Sequence, residues 1–511
     1  MNMRTFRALV LNLARPISVA LFIVLVVPYP AAAQSHHYKL IDIGTLGGPI
    51  GYGSVNGDGF RLLNNSGAVV SFADTPFPDP NQAYEVFGCY DPDCYQGHAF
   101  RWKDGVMTDL GTLPGKNNSA AGSINSHGWI TGQSQSSVID PNLGIPEFRA
   151  VLWRHGQITD LGTLPGGNEA LGIFVNDSDQ VVGFSDNGIP DPFSLFLSGT
   201  QIHTFLWQKG TMQDIGTLGG PDAVPSADCG VAPPDQVVGA SYTSSSPNAW
   251  SGIPTLDSFF WNHGVMTDLG TLGGTIGNAQ CVNHRGQIIG TSDLSGDLIG
   301  NYHAFLWQDG VMTDLGTLGG DYSSAIWLND AGEVAGFAAL PDQSHHPVIW
   351  EAGQIKDLGT VENDPCGQAL SLNARGQIVG GTSDCSYFLH AFLWEHGGPI
   401  LDLNTLIPAG SGLQLTFALD INDQGEILAK ALPLGGNPYQ DADLYGHLVL
   451  LVPCEEEAGE SCEASLLPAS ATIPLAQSTV GGKPDPYSML SPRPGKGKID
   501  LRRRFGVSVP K

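Results

Sequence analysis

Between Tyr38 and Pro453 the chain repeats itself, and that repeat restricts its fold more than any other feature. The segment HAFLWQDGVMTDLGTLGGDYSSAIWLNDAGEVAGFA, from His303 to Ala338, recurs with variations. Its tryptophan returns at Trp102, Trp153, Trp207, Trp261, Trp307, Trp350 and Trp394, 43 to 54 residues apart. Periods of this size mean one supersecondary unit per repeat, stacked linearly or closed into a ring. HAFLW reads as one strand, and a turn ending in glycine reverses it into a second, VMTDLGTL or its like. A third strand, as in SSAIWLN, turns at an Asn-x-x-Gly tetrapeptide into a fourth, as in EVAGFA. These turns fall at Asn64–Gly67, Asn125–Gly128, Asn283–Gly286, Asn329–Gly332, Asn373–Gly376 and Asn422–Gly425. Asparagine caps such a turn with its side chain, and glycine tolerates its positive φ. Asn176–Asp179 lacks the glycine, and the unit around Pro233-Pro234-Asp235 has lost both signals. With 67 Gly and 35 Pro in 511 residues, the chain is rich in tight turns and poor material for a helical bundle.

The two ends decide between stack and ring. Ile41-Asp42-Ile43-Gly44-Thr45-Leu46 stands before the first HAFxW strand without a partner, and His447 to Val452 stands after the last turn, also unpartnered. Together they complete one sheet, which is how a ring shares a blade between its termini; a linear solenoid needs capped ends instead. The Asp of an Asp-x-Gly/Asn motif, most often DLG, occurs at Asp42, Asp109, Asp160, Asp214, Asp268, Asp314, Asp357 and Asp402, so the expected fold is all-β. It is a β-propeller of about eight four-stranded blades closed by pairing of the N- and C-terminal strands, or seven with one irregular unit.

Arg4, Arg7 and Arg15, the apolar run Ile17 to Val27 and Ala31-Ala32-Ala33 fit a secretory signal peptide over residues 1–33, too short to span a bilayer. The expected organisation is this signal, a propeller over 34–453 and a disordered Pro/Ser-rich tail over 454–511 with a basic end. An exported chain meets no reducing thiol pool, so the eight cysteines read as disulfides. Proximity and repeat equivalence suggest Cys89 with Cys94, Cys229 with Cys281, Cys366 with Cys385, and Cys454 with Cys462. The net charge of −27, from 50 acidic against 23 basic residues, leaves little surface for nucleic-acid phosphates. The mature chain should be a monomer without a transmembrane segment, secreted or extracellular, and free to associate with a cell surface.

In its His-Ala-Phe triplets, His98-Ala99-Phe100, His303-Ala304-Phe305 and His390-Ala391-Phe392, and in the DLGTLGG that follows, the chain resembles the HAF-repeat family of probable extracellular proteins. The resemblance covers about 400 residues, and implies export but no catalytic residues.

A residue required once per blade serves the blade. The eight DLG aspartates should accept backbone N–H groups at the following turn, and His98, His203, His303, His346, His390 and His447 should bridge strands. Arg149 and Ser258 replace that histidine in two units. Binding belongs where the units differ, in the connections that precede each HAFLW: residues 72–97, 135–148, 185–202, 241–257, 293–302, 338–345, 382–389 and 433–446. The aromatics expected to bind there are Phe77, Tyr84, Tyr90, Tyr95, Phe193, Tyr242 and Trp250, beside Asp74, Asp79, Asp186 and Asp191, read as solvated loop acids. Such a face suits an extracellular glycan, polymer or protein. No cofactor is implied; calcium could cross-link loop acids, although no EF-hand or RTX-type spacing occurs. No catalytic motif occurs either, which leaves a carbohydrate-active propeller using loop carboxylates as the competing reading.

Overall fold

The computed structural model describes residues 37–52, 61–79, 95–115, 118–141, 144–195, 199–226, 233–249, 251–295, 301–436, 446–454 and 462. The signal segment, nearly all of the tail, Tyr84, Tyr90, Trp250, Cys89, Cys94 and Cys229 lie outside these residues.

Among the described residues the strands form eight four-stranded antiparallel blades, each unit contributing one. Blade 1 runs Gly51–Tyr52, Val69–Pro78, Tyr95–Lys103, Val106–Asp109. Blades 4 and 5 join into one sheet only through a single parallel pairing, Leu256 with Ile276. Blade 8 consists of Leu413–Ile421, Ile427–Pro433, His447–Cys454 and, from the other end of the chain, His37–Asp42. The half-units at the two ends therefore complete one blade, with His37 opposite Cys454 and Asp42 opposite Val449.

The first strand of each blade lies innermost. Ser119–Ile124 and Ala170–Val175 are buried at every position, while the fourth strand Val106–Asp109 is mostly exposed at the rim. Burial on both faces explains why inner strands read as small and apolar runs rather than alternating ones. Glycine in the second strand is a packing requirement: a Cβ at Gly290 would stand 2.1 Å from the carbonyl oxygen of Asn278 and 2.7 Å from the ring of Phe305. That ring is the Phe of HAF, directly opposite the glycine in the neighbouring strand. The recurrent tryptophans Trp102, Trp153, Trp207, Trp261, Trp350 and Trp394 are all at most 5% exposed, and the Trp350 indole donates to Leu315 O in the preceding blade. Burying these large rings between blades is a principal apolar contribution to the ring.

The Asn-x-x-Gly turns do more than reverse the chain. Asn373 Oδ1 accepts the N–H groups of Arg375 and Gln377, capping its own turn, while its Nδ2 donates to Asn422 O in the next blade, 2.9 Å away. The same inter-blade bond links Asn64 to Asn125, Asn125 to Asn176, Asn283 to Asn329, Asn329 to Asn373 and, across the ends of the chain, Asn422 to Asn64. An amide side chain carries acceptor and donor on two separate atoms of one short arm, so asparagine serves both needs at once. Where blade 4 lacks the asparagine, Gln180 Nε2 donates instead to Asp235 Oδ1 and Gln180 Oε1 accepts the Asp235 N–H.

Cys366 is bonded to Cys385 and Cys454 to Cys462. Cys281 is also disulfide-bonded, with a partner outside the described residues. No helix among the described residues is long and apolar enough to cross a membrane.

Candidate functional site

Antiparallel strands divide the connections between two faces. The turn face carries the Asn-x-x-Gly turns and the turns after each tryptophan; the loop face carries the DLGTLGG links and the connections into HAFLW. The DLG aspartates are structural on this face. Asp42, Asp109, Asp160, Asp214, Asp268, Asp314 and Asp357 each accept the N–H of the glycine two residues on, and Asp402 accepts that of Asn404. In five blades a histidine clamps the same carboxylate: His98–Asp109, His203–Asp214, His303–Asp314, His346–Asp357 and His447–Asp42, at 2.8 to 3.1 Å. His390 departs from the pattern and holds Asp364 at 2.8 Å, while Asp402 caps a short 3-10 turn, Leu403–Thr405.

The second strands separate blades 1 to 3 from the rest. Val69–Pro78, Ile130–Ile139 and Val181–Pro190 are ten residues each; those of the other five blades have six or seven. Much of what reads in the sequence as irregular connection is therefore strand. Each extension follows a register shift and ends in a closing pair, Pro78 with Tyr95, Ile139 with Pro146 and Pro190 with Thr200. The result is a crest of three neighbouring hairpins. The ends of the extended second strands, the tips of the crest among the described residues, expose apolar side chains: Phe77 is 63% exposed, and Val138, Ile139 and Ile189 about half. Immediately after each tip comes an Asp-Pro pair, Asp79-Pro80, Asp140-Pro141 and Asp191-Pro192, whose acid is buried.

Each of these acids meets the residue that precedes the inner strand of the next blade. Asp79 accepts from Asn118 Nδ2 at 3.0 Å, while Asp140 and Asp191 lie close enough to Glu169 and Asp222 to raise them. Those partners in turn accept backbone N–H groups from the crest hairpins: Asn118 from Gly97, Glu169 from Phe148, Asp222 from Leu195 and Ile202. Burial pushes Glu169 up to about 9, with the charges of Asp140 and Asp186 adding to it. Burial likewise pushes Asp222 up to about 7, with Asp191 adding. Two facing buried acids are tenable when they share a proton.

The acids read as solvated are thus anchors. Asp74 accepts the N–H of Ile50; Asp186 accepts those of Asn168 and Glu169 and the hydroxyl of Thr200; Asp74, Asp79, Asp186 and Asp191 are at most 6% exposed. Among the aromatics, Phe77 lies on the crest and half-buried Tyr95 beside it, paired with Pro78. Tyr242 is not on the surface: it is 1% exposed, in a core cluster with Leu195, Ile202 and Leu256 against which Phe193 packs, and its hydroxyl donates to Phe193 O. It points inward because it holds the strand position of Asp74, Gln135 and Asp186 in blades 1 to 3, which is buried in those blades as well. The crest aliphatics Val138, Ile139 and Ile189 escaped sequence reading, although the thrice-repeated apolar-x-Asp-Pro pattern marks them. So did a packed group at the same face of blades 5 and 6, where Tyr322 lies 5.5 Å from Tyr302 and 6.3 Å from Phe337, and bonds Gln343 O and His345.

No protein-family model matches the chain, and no curated protein does. Among solved structures it is similar to an acylaminoacyl peptidase from Pyrococcus horikoshii, at 9% identity over 72% of this chain and 56% of that one, with a TM-score of 0.37. It is similar to the β-propeller domain of the Trilobed protease from Pyrococcus furiosus, at 9% identity, 68% and 96% coverage, and a TM-score of 0.38. A polysaccharide lyase, an ulvan lyase, aligns at 12% identity, 69% and 94% coverage, and a TM-score of 0.33. The chain spans little more than half the length of the first of these.

Proposed function

We propose that this propeller is a secreted binding or scaffold module of the HAF-repeat family that engages an extracellular polymer, glycan or protein through the crest on its loop face. The observation that carries the reading is the crest itself: three adjacent hairpins, apolar at the tip and fixed at the base by buried carboxyl groups. Exposed apolar side chains on a preorganised support lose little entropy on binding. Aliphatic tips beside a phenylalanine favour a protein or apolar polymer surface over a sugar ring. Export is supported by the N-terminal pattern and by the disulfides. Charge argues against nucleic acid.

The test is retention of the purified chain on immobilised extracellular glycans, cell-wall polymers and peptides, reading also the release of reducing ends. Retention lost in Phe77→Ser/Val138→Ser/Ile189→Ser, with an unchanged unfolding midpoint, supports the crest. Retention unaffected by that variant moves binding elsewhere. Release of product makes the protein a carbohydrate-active enzyme.

A further inference from the structure

On the turn face of blades 5 and 7, the residue after the Asn-x-x-Gly turn meets the residue after the blade's tryptophan. In blade 5 Gln287 Nε2 donates to Gln308 Oε1, and in blade 7 Gln377 Nε2 donates to Glu395 Oε1. In each case the other amide atom, Oε1, accepts from the turn asparagine, Asn283 or Asn373. Blade 6 keeps half of this arrangement. Glu333 Oε2 accepts from Asn329 Nδ2 at 2.6 Å, but where the glutamines present an N–H donor, Glu333 presents a second carboxylate oxygen. Its counterpart after the tryptophan is Glu351, also a carboxylate.

What faces the two acids is His396 of blade 7. Its Nε2 lies 3.2 Å from Glu333 Oε1 and 3.0 Å from Glu351 Oε1. All three ligand atoms fall within 4.8 Å of one another. Glu351 Oε1 is shielded from solvent and has no well-directed hydrogen bond. The neighbouring seams are built differently. Arg285 packs over Gly332 of the next blade, and Arg375 over Gly425; in the equivalent place blade 6 has Ala331, and His396 occupies the space over Gly376. The seam between blades 6 and 7 has thus lost an amide donor and an arginine, and gained a second carboxylate and an imidazole.

The geometry points to a divalent cation site of Glu333, Glu351 and His396, selective for a borderline ion of the zinc class. Ligand atoms that share an ion at about 2.0 to 2.2 Å lie roughly 3 to 3.5 Å apart, which the two His396 distances match. One imidazole with two carboxylates suits zinc and its neighbours. Calcium, which takes six to eight oxygens, finds too few here. Glu333 is oriented by Asn329, as a metal ligand is oriented by a hydrogen bond behind it. The bound ion would supply the positive charge that the seam lacks, on the face opposite the crest.

The experiment is equilibrium dialysis of the full chain, stripped with EDTA, against zinc chloride and separately calcium chloride. Glu333→Gln rebuilds the glutamine–glutamate pair that blade 7 already carries, so that variant should fold; His396→Asn is the second. The parent should hold one more tight zinc equivalent than either variant, or hold it at least tenfold more tightly, and zinc should raise its unfolding midpoint more than theirs. Equal zinc stoichiometry and affinity in all three proteins overturns the site. Variant-sensitive binding of calcium in preference to zinc overturns the assigned class of ion.

Discussion

The two faces of the ring use polar residues in opposite ways. On the turn face of six blades one asparagine both caps its own turn and bonds the next blade, so that residue does the same thing wherever it occurs. On the loop face of blades 1 to 3, the groups that bind blade to blade are not one residue type but Asn118, Glu169 and Asp222 in equivalent positions, each matched to an Asp of the preceding crest hairpin. Uniformity marks what the ring needs in order to close; variation within a fixed slot marks where the scaffold carries something peculiar to this chain.

The largest effect expected from breaking this contrast is at the asparagine ladder. Asn373→Ala leaves the N–H groups of Arg375 and Gln377 without their cap and Asn422 O without its donor, and should cost about 2 to 3 kcal/mol in urea unfolding. Asn373→Asp keeps the cap and removes only the donor, so it should cost clearly less. A crest-tip change such as Phe77→Ser touches no buried group and should stay within about 0.5 kcal/mol. Equal losses at Asn373 and Phe77 would erase the distinction between the faces.

Next in size is a crest anchor. Asp222→Ala strands the buried N–H groups of Leu195 and Ile202 and should cost about 2 kcal/mol. Hydrogen exchange should show its locality: the amides of Leu195 and Ile202 should exchange faster, while those of Arg375 and Gln377 keep their protection. Uniform acceleration around the ring would mean that the anchor holds the whole fold rather than the crest.

The pH response sharpens the comparison further. Glu169, pushed up to about 9 by burial, is protonated in the folded chain at neutral pH but ionised in the unfolded one. Its raised value means that stability is greatest below the unfolded value of about 4.3 and declines as pH rises towards 9. Asp222 behaves the same way over a narrower window, up to about 7. Glu169→Gln, neutral at every pH, should remove part of this decline. Its unfolding midpoint should differ little from the parent's at pH 4 and exceed it at pH 8. A gap that is the same at both pH values would contradict a protonated Glu169.

Much of this fold is legible in the sequence because its demands recur. The period, the turn asparagines and the unpaired strands at Ile41 and His447 together imply a closed ring with a shared blade, and the strand pairing at His37–Asp42 is that closure. The donor half of each asparagine is not legible, because its acceptor lies about 50 residues away in the next unit and leaves no local mark. Nor is the burial of Asp74, Asp186 or Asp191, since an acid in an irregular stretch has the same composition whether it is solvated or accepting backbone N–H groups. Tyr242 shows the same ambiguity for an aromatic: whether it ends above or below the loop surface depends on its place in the strand, which only the register fixes.

The smallest effect concerns the histidine clamps, and it separates repetition from necessity. Burial alone would lower His203, but the hydrogen bond and charge of Asp214 outweigh it and hold the imidazole above its ordinary value. Asp214, which burial alone would raise, is held below the usual carboxylate range by His203 and the Gly216 N–H. The histidine's contribution is therefore complete below about 6.5 and lost as pH rises through its raised value; the aspartate's is complete above about 3.9 and lost on acidification. Both groups are partly exposed, so the pair is worth roughly 0.5 kcal/mol at most. Arg149 already stands in the histidine's place in blade 2, and in blade 4 the register puts Asp257 there rather than the Ser258 expected from the sequence; Asp160 and Asp268 still bond their glycines. His203→Ser should accordingly lower the unfolding midpoint slightly at pH 5 and not measurably at pH 9. A loss at pH 9 as large as that of Asn373→Ala would place the clamps with the ladder, among the groups on which the ring depends.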